Sequence, residues 1–137
     1  MSYMSAAALQ AAVYQHLVSD APLLALVDGG IHDAPAPGTP SGNYVVLGAE
    51  EVIDRSDVSG PGAEHRFTVS VLSDAPGFQH AKEIAGRIGL ILPGADLALS
   101  EGRLVDLWFH QAQARRVEGG AVRRIDLRFR ARIEGQA

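Results

Sequence analysis

Two segments near the end of the chain alternate between apolar and polar residues, and they predict a long β-hairpin. Residues 103–117 and 121–133 are joined by Glu118-Gly119-Gly120, and a short connection rich in glycine is typical of a hairpin turn. The second segment has one charged face and one apolar face, the latter formed by Ile125, Leu127, Phe129, Ala131 and Ile133. At about 3.3 Å per residue each strand is about 40 Å long, so we expect the hairpin tip to project beyond the core.

The register of this hairpin follows from keeping the apolar faces of both strands on one side of the sheet. A slip of one residue would move every side chain of a strand to the opposite face. Pairing Val117 with Ala121 across a three-residue loop satisfies this condition, and it places Phe109 and Phe129 on the face that helices cover. The expected opposite pairs are Phe109 with Phe129, Val105 with Ile133, Asp106 with Arg132, Trp108 with Arg130 and His110 with Arg128.

The periodicities elsewhere predict two main helices and two further strands. The expected elements are helices over 5–19 and 76–92, a short helical turn from Asp20 to Val27, and strands over 43–53 and 65–73. Ser5 and Asp20 are candidate helix caps, and the three prolines of 31–42 predict irregular structure. The order α-β-β-α-β-β indicates an α+β domain. We expect a mainly antiparallel four-stranded sheet with two helices on one face and an open face rich in arginine.

Length and composition favour one folded domain, residues 1–137. The chain weighs 14.5 kDa and has no cysteine, which excludes disulfides and thiolate chemistry. Its net charge of −4 disfavours a general nucleic-acid binder. No basic leader precedes the first apolar stretch, and no run reaches the roughly 18–20 apolar residues of a membrane span. We therefore expect a protein that is made and assembled in the cytoplasm, without a membrane partner.

No set of residues points to catalysis, a cofactor or a bound metal. The consecutive carboxylates Glu50 and Glu51 point to opposite faces of a strand, so they cannot act together as an acid–base pair. The GxSxG, Walker A and GxGxxG motifs are absent. The histidines lack the spacing of a metal site, and we expect them at the surface or half buried: His16, His32, His65, His80 and His110. The sequence therefore predicts no enzyme.

The arginines of the last strand form a candidate interaction surface. Arg128, Arg130 and Arg132 alternate along one face, and like charges so close together repel unless acidic groups approach them. The only tryptophan, Trp108, is expected beneath Arg130, where a cation–π contact can form. The candidate interface residues are Asp106, Trp108, His110, Arg128, Arg130 and Arg132. Two alternatives stay open, a solvated outer face and a nucleic-acid surface, although the latter usually needs several exposed aromatic residues.

The segment 54–64 is a second candidate for assembly. It contains the sequence Gly60-Pro61-Gly62 and carries the charged residues Asp54, Arg55, Asp57 and Glu64. Such a composition leaves little to bury within one subunit. We therefore expect either a flexible connection or an arm that becomes ordered against a neighbouring subunit.

Seven segments follow one another along nearly the whole chain: AALQAAVYQHLVSDAPLLALV, GGIHDAPAP, NYVVLGAEEV, AEHRFTVSVLS, GFQHAKEIAGRIGLIL, LALSEGRLVDLWF and RIDLRFRARIE. None of them is a catalytic motif. In their order and spacing they resemble the tail-terminator family of long-tailed phages and gene transfer agents, whose members are also called tail completion or tail-to-head joining proteins. The family offers no functional motif at the level of single residues, so the candidate interface rests on the pattern described above.

The resemblance implies a structural protein of a virion or phage-like particle, assembled in a bacterial host. Family members form a ring, expected to be a hexamer, on the head-proximal end of the tail tube. The ring stops polymerisation of the tube and joins the tail to the head. The implied partners are other copies of the chain, the tail tube protein and the head–tail connector or neck protein, with DNA only passing through the lumen. Two alternatives remain: a neck or head-completion protein of the same particle, and a soluble binding domain with no assembly role.

Overall fold

The computed structural model describes residues 3–33, 41–56 and 60–135. Within these ranges the chain forms three α-helices and five strands. In chain order they are α1 (Ala6–Val18), α2 (Ala21–Leu26), β1 (Ile31–His32), β2 (Asn43–Asp54), β3 (Gly62–Ser73), α3 (Gln79–Ile91), β4 (Arg103–Val117) and β5 (Val122–Glu134). No helix in this part of the chain is long and apolar enough to span a membrane.

The strands form one sheet in the order β1-β2-β3-β5-β4. All neighbours are antiparallel except β1 and β2, which are parallel. The α+β class is confirmed, but the expected four-stranded antiparallel sheet is a five-stranded mixed sheet. The added strand β1 has two residues, Ile31 opposite Val45 and His32 opposite Val46. A strand this short has no periodicity that a sequence pattern could show.

The helices cover one face of the sheet and form the core with it. From α1 the buried residues include Leu9, Val13 and Leu17, and from α3 they include Ile84 and Ile88. These are the positions that helical spacing predicts for a face packed on a sheet. The strands contribute the apolar rows Phe67, Val69, Val71 and Ile125, Leu127, Phe129, Ala131, Ile133. The assignment of apolar and polar faces is therefore confirmed for both central strands.

The two predicted helix caps have different outcomes. The Asp20 side chain accepts a hydrogen bond from the Leu23 N–H at 3.0 Å, so it caps α2 as expected. It also accepts two hydrogen bonds from the guanidinium of Arg87 on α3, at 2.7 and 2.8 Å, and these bonds lower the pKa of Asp20. Ser5, in contrast, makes no side-chain cap. It is buried, and its hydroxyl occupies the space that a Cβ atom at position 102 would need, so glycine is required there.

The hairpin register is correct at its centre and wrong at both ends. Phe109 opposite Phe129, Asp106 opposite Arg132 and Trp108 opposite Arg130 are confirmed. Irregularities in β4 between Leu104 and Asp106 and between Phe109 and Gln111 shift the remaining pairs. The corrected pairs are Leu104 instead of Val105 with Ile133, Gln111 instead of His110 with Arg128, and Val117 with Val122 instead of Ala121.

The physical reason for these shifts is the β-bulge. Each bulge places one extra residue in one strand, and strict alternation along the sequence does not show which residue that is. The bulge at His110 also lengthens the turn, because a one-residue shift in β4 requires four connecting residues rather than three. Of these four, Glu118, Gly119 and Gly120 have positive φ angles of 54°, 66° and 93°, which the two glycines adopt without strain.

The edge strand of the hairpin, β4, is exposed along its distal part. From Trp108 to Arg116 every residue of β4 is exposed. Phe109 and Phe129 lie on the same face, with their rings 5.9 Å apart, but Phe129 is fully buried and Phe109 is 47% exposed. The expectation that the helices cover both rings is therefore correct only for Phe129. The expected projecting tip is limited to the turn, because β3 runs beside β5 as far as Arg123 and Ile125 still belongs to the core.

Candidate interaction surface on the open sheet face

The open face of the sheet brings the predicted arginine row together with a fourth arginine. Arg66 of β3 lies directly opposite Arg130 of β5, so the row spreads across two strands. The alternation of β3 places Arg66 on the polar face, but its position beside Arg130 depends on β3 and β5 being neighbours. That neighbour relation is a property of the sheet order and not of either segment alone.

Two groups of carboxylates neutralise the arginines at the ends of this face. Asp126 accepts hydrogen bonds from the Ser70 hydroxyl at 2.6 Å and from Arg124 Nε at 2.9 Å, and it pairs with Arg115 at 3.3 Å. Burial favours a higher pKa for Asp126, but these hydrogen bonds and the two positive charges hold its pKa below the ordinary value. Arg66 pairs with Glu64 at 2.6 Å and Glu51 at 3.5 Å, and the pKa of Glu64 is lowered chiefly by its hydrogen bond from Arg66.

Beside these groups three arginines form no close ion pair among the described residues: Arg128, Arg130 and Arg132. Glu64 nevertheless lies opposite Arg132, and the charge of Arg130 helps to lower the pKa of Glu64. Asp106 lies opposite Arg132, but its Oδ1 accepts the Leu107 N–H at 2.8 Å. Arg130 places its guanidinium carbon 6.0 Å from the centre of the Trp108 ring, within cation–π range. The Nε of Arg130 is buried and has no hydrogen-bond partner in the described structure. Positive charge therefore accumulates around a 41% exposed tryptophan.

His110 remains near Arg128 although the two residues are not opposite each other. A hollow of about 280 Å³ on this face is lined by both of them, together with Glu51, Arg66 and Thr68. The hollow holds charges of both signs on exposed side chains. Within the described ranges no group of three histidine, aspartate or glutamate side chains could hold a metal ion.

The predicted assembly loop is shorter than expected. Ile53 pairs with Glu64 and Asp54 with Ala63, so the strands extend into 54–64 from both sides. Glu64 belongs to β3, Asp54 ends β2, and only Arg55 of the predicted charged set lies in the described part of the connection. Asp57 lies outside the described residues. The segment was expected to be a loop because its glycine, proline and charged residues are typical of loops, although Gly62 and Ala63 are buried at the start of β3.

His65 is not at the surface. It is fully buried between Val52 of β2 and Ala131 of β5, and neither ring nitrogen has a hydrogen-bond partner in the described structure. Burial lowers its pKa, against the weaker opposing effect of Glu50. In the sequence, His65 alternates in phase with Phe67, and this pattern indicates that its side chain lies on the apolar face of β3. The expectation of a surface or half-buried histidine was therefore wrong at this position.

We expect His65 to make stability depend on pH. Because the folded state holds its pKa below the unfolded value of 6.5, the unfolded chain binds the proton more readily, so stability falls as pH decreases below about 6.5. One proton changes the free energy of unfolding by at most about 1.4 kcal/mol per pH unit. Denaturant titrations between pH 7.5 and 5.5 should show this slope, and His65→Leu should reduce it. The exposed His80→Leu is the control, and equal slopes in wild type and His65→Leu would contradict the prediction.

Comparisons with known proteins agree with the architecture. A chain in the solved structure titled "Virion of native gene transfer agent (GTA) particle" is 57% identical to this chain, with a TM-score of 0.92, and the match covers 98% of this chain and 100% of that one. No curated protein matches. The model of the family described as tail completion protein gp17 matches residues 11–134. Since this match spans most of the chain, the protein belongs to the tail completion protein gp17 family.

Proposed function

We propose that this protein is a structural protein of a phage tail or gene transfer agent tail that completes the tail as a ring. The ring caps the head-proximal end of the tail tube, stops its polymerisation and joins the tail to the head connector, and DNA passes through the lumen. The observation that carries the proposal is the 57% identity, over 98% of the chain, to a chain of a gene transfer agent virion. The family match to a tail completion protein supports the place in the tail.

The ring itself is supported by the shape and chemistry of the subunit. A closed ring needs a heterologous interface, in which two different patches of each subunit meet. The chain has an open charged face and exposed apolar side chains at separate places. Six copies of the 14.5 kDa chain, each with a net charge of −4, would form a ring of roughly 87 kDa with a net charge of −24.

We assign the arginine face a role in this assembly. Arg128, Arg130 and Arg132 form no close ion pair within the described part of the subunit, although Glu64 lies nearby. An acidic surface of a neighbouring subunit or of the tail tube could therefore pair with them directly. Exposed ion pairs contribute only about 0–1 kcal/mol each. The main contribution must therefore come from groups that lose water together around Trp108, as in the centre of other interfaces.

Electron microscopy of the purified protein with tail tubes tests the proposal. We expect density at one end of each tube and an end to tube growth once the protein is added. Tubes without the protein should continue to lengthen. Binding to head connectors without binding to tubes would favour a neck or head-completion protein instead. Binding to neither would favour a domain with no assembly role, and a single copy in the mature particle would exclude the ring.

We expect the connection between β2 and β3 to change on assembly. Its ends are held by the Arg55 N–H on the Gly62 carbonyl at 2.8 Å and by the Ser56 hydroxyl on Asp54 at 2.7 Å, while its Gly60-Pro61 sequence buries little apolar surface. Hydrogen exchange of 55–61 should slow in assembled particles relative to the free protein. The backbone amides of β3 serve as the internal reference, because they are paired on both sides in either state. Equal exchange of 55–61 in both states would mark it as a plain connector.

A further inference from the structure

A groove lies on the helix side of the sheet, opposite the arginine face, between α3 and the hairpin of β4 and β5. It has a volume of about 470 Å³, and its walls include Lys82, Gly86, Gly89, Phe109, Ala112 and Leu127. Phe109 is 47% exposed there. A Cβ atom placed on Gly86 or Gly89 would meet nothing within 4 Å, so another chain can approach the helix backbone closely. The groove is thus an open, mainly apolar surface with a lysine beside it.

A patch with matching chemistry lies at the other edge of the sheet. Tyr3 and Met4 are 65% and 59% exposed just before α1 begins. The Tyr3 hydroxyl donates a hydrogen bond to Glu50 Oε1 at 2.8 Å. Glu50 pairs with the core residue Phe67, so its side chain also lies on the helix side. We call Tyr3, Met4 and Glu50 the N-terminal patch; it presents two apolar side chains beside a carboxylate.

The charge of the chain is divided unevenly between the hairpin and the rest. Residues 103–134 contain eight arginines and four carboxylates, a net charge of +4. The remaining residues contain four basic and twelve acidic side chains, a net charge of −8. Two hairpins placed against each other would repel, whereas a hairpin placed against the body of another copy is attracted. This distribution favours a contact between opposite edges of the subunit, which is the heterologous kind that closes rings.

Direct pairing of strands at the two sheet edges is a poorer alternative. β4 has irregularities at Val105 and His110, β2 has one between Leu47 and Glu50, and β1 covers Val45 and Val46. Bulges interrupt the row of backbone groups that an incoming strand would need. Packing of side chains from the helix side does not depend on those backbone groups.

We propose that the groove of one copy receives the N-terminal patch of the next copy. Met4 then packs against Phe109 and Ala112, while Glu50 approaches Lys82. This inference rests on the ring of the proposed function and adds the two surfaces that form it. The tail tube protein is the competing occupant of the groove, and the experiment separates the two.

The absence of cysteine from the chain allows a direct test in assembled particles. A chain with both Met4→Cys and Ala112→Cys is incorporated into particles and treated with a short thiol-reactive bis-maleimide. We expect a ladder of covalent multimers of the chain that ends at the number of copies in the ring. Each single-cysteine variant alone should stay uncross-linked, and particles built from both single variants together should give dimers without a ladder.

The results of the cross-linking experiment test the groove assignment and the proposed function separately. Particles that contain the ring but give no ladder overturn the groove assignment and leave the proposed function standing. Products that join Ala112→Cys to a cysteine-bearing tail tube protein overturn it in favour of the tube as occupant. A wild-type chain present as one copy per particle overturns both proposals.

A second variant tests the groove without cysteine substitutions. Gly86→Trp fills the groove, and because glycine is a poor helix former its replacement should not weaken α3. We expect incorporation into particles to fall by about tenfold or more, equivalent to about 1.4 kcal/mol of interface free energy. Gly77→Trp is the matched control, since a Cβ there also meets nothing within 4 Å and Gly77 does not line the groove. Equal incorporation of Gly86→Trp and wild type would contradict the proposal.

Discussion

Replacing Phe129 by alanine is expected to lower the free energy of unfolding by about 3–5 kcal/mol, the range for a large aromatic side chain lost from a core. Phe129 is fully buried. Its ring stacks on Phe67 at 5.6 Å and meets the edge of Phe109 at 5.9 Å, so the substitution leaves a cavity at the centre of the sheet. A denaturant titration followed by circular dichroism measures the change.

Phe109→Ala is the control for this prediction. It removes the same chemical group from the same face, but Phe109 is 47% exposed, so the expected loss of stability is smaller. The same substitution removes part of the groove wall and should weaken assembly if the groove is an interface. If Phe129→Ala costs no more stability than Phe109→Ala, Phe129 is not at the centre of the core.

Reversing two charges of the arginine face is expected to abolish incorporation into particles while the subunit stays folded. In Arg128→Glu combined with Arg130→Glu, the face would repel the acidic surface that completes it. Arg128 is exposed and Arg130 lies over Trp108 without an ion-pair partner among the described residues. Neither side chain is part of the apolar core, so the free energy of unfolding should change by about 1 kcal/mol or less.

The matched control keeps the charges and changes the side chains. Arg128→Lys combined with Arg130→Lys retains two positive charges on the same strand, so assembly should persist. Counting the protein in purified particles by quantitative mass spectrometry compares the two double variants with wild type. Normal incorporation of the glutamate variant would show that the arginine face is solvated surface with no part in assembly.

The sequence predicts the faces of this fold better than its boundaries. Alternation assigns Phe67 and Phe129 to the core and Arg130 to the open face, because side-chain direction is a local property of a strand. The bulge at His110 could not be predicted, since the extra residue matters only relative to the partner strand. β1 was missed for a related reason: its two residues are held by β2 and show no pattern of their own.

In the candidate interaction surface, too, local features were predictable and features that depend on a neighbouring strand were not. Trp108 beneath Arg130 was predictable, because the centre of a hairpin keeps the register set by its apolar faces. The position of Arg66 beside Arg130 was not predictable, because it depends on β3 being the neighbour of β5. For His65 the two indications in the sequence disagreed. Alternation placed its side chain on the apolar face, which is correct, whereas the residue type suggested a surface position. A buried histidine without hydrogen bonds is unfavourable in isolation, so local rules assign it elsewhere.

The bulges of β4 also bear on the chain before any assembly takes place. A freshly made subunit exposes a 15-residue strand at the edge of its sheet, and flat edges of this length act as templates for fibres. The two bulges in β4 interrupt its row of free backbone groups. Two free subunits that meet edge to edge therefore cannot pair along the whole strand. A variant that lacks His110 would restore a regular edge from Asp106 to Val117, and we expect its free subunits to aggregate more readily than wild type.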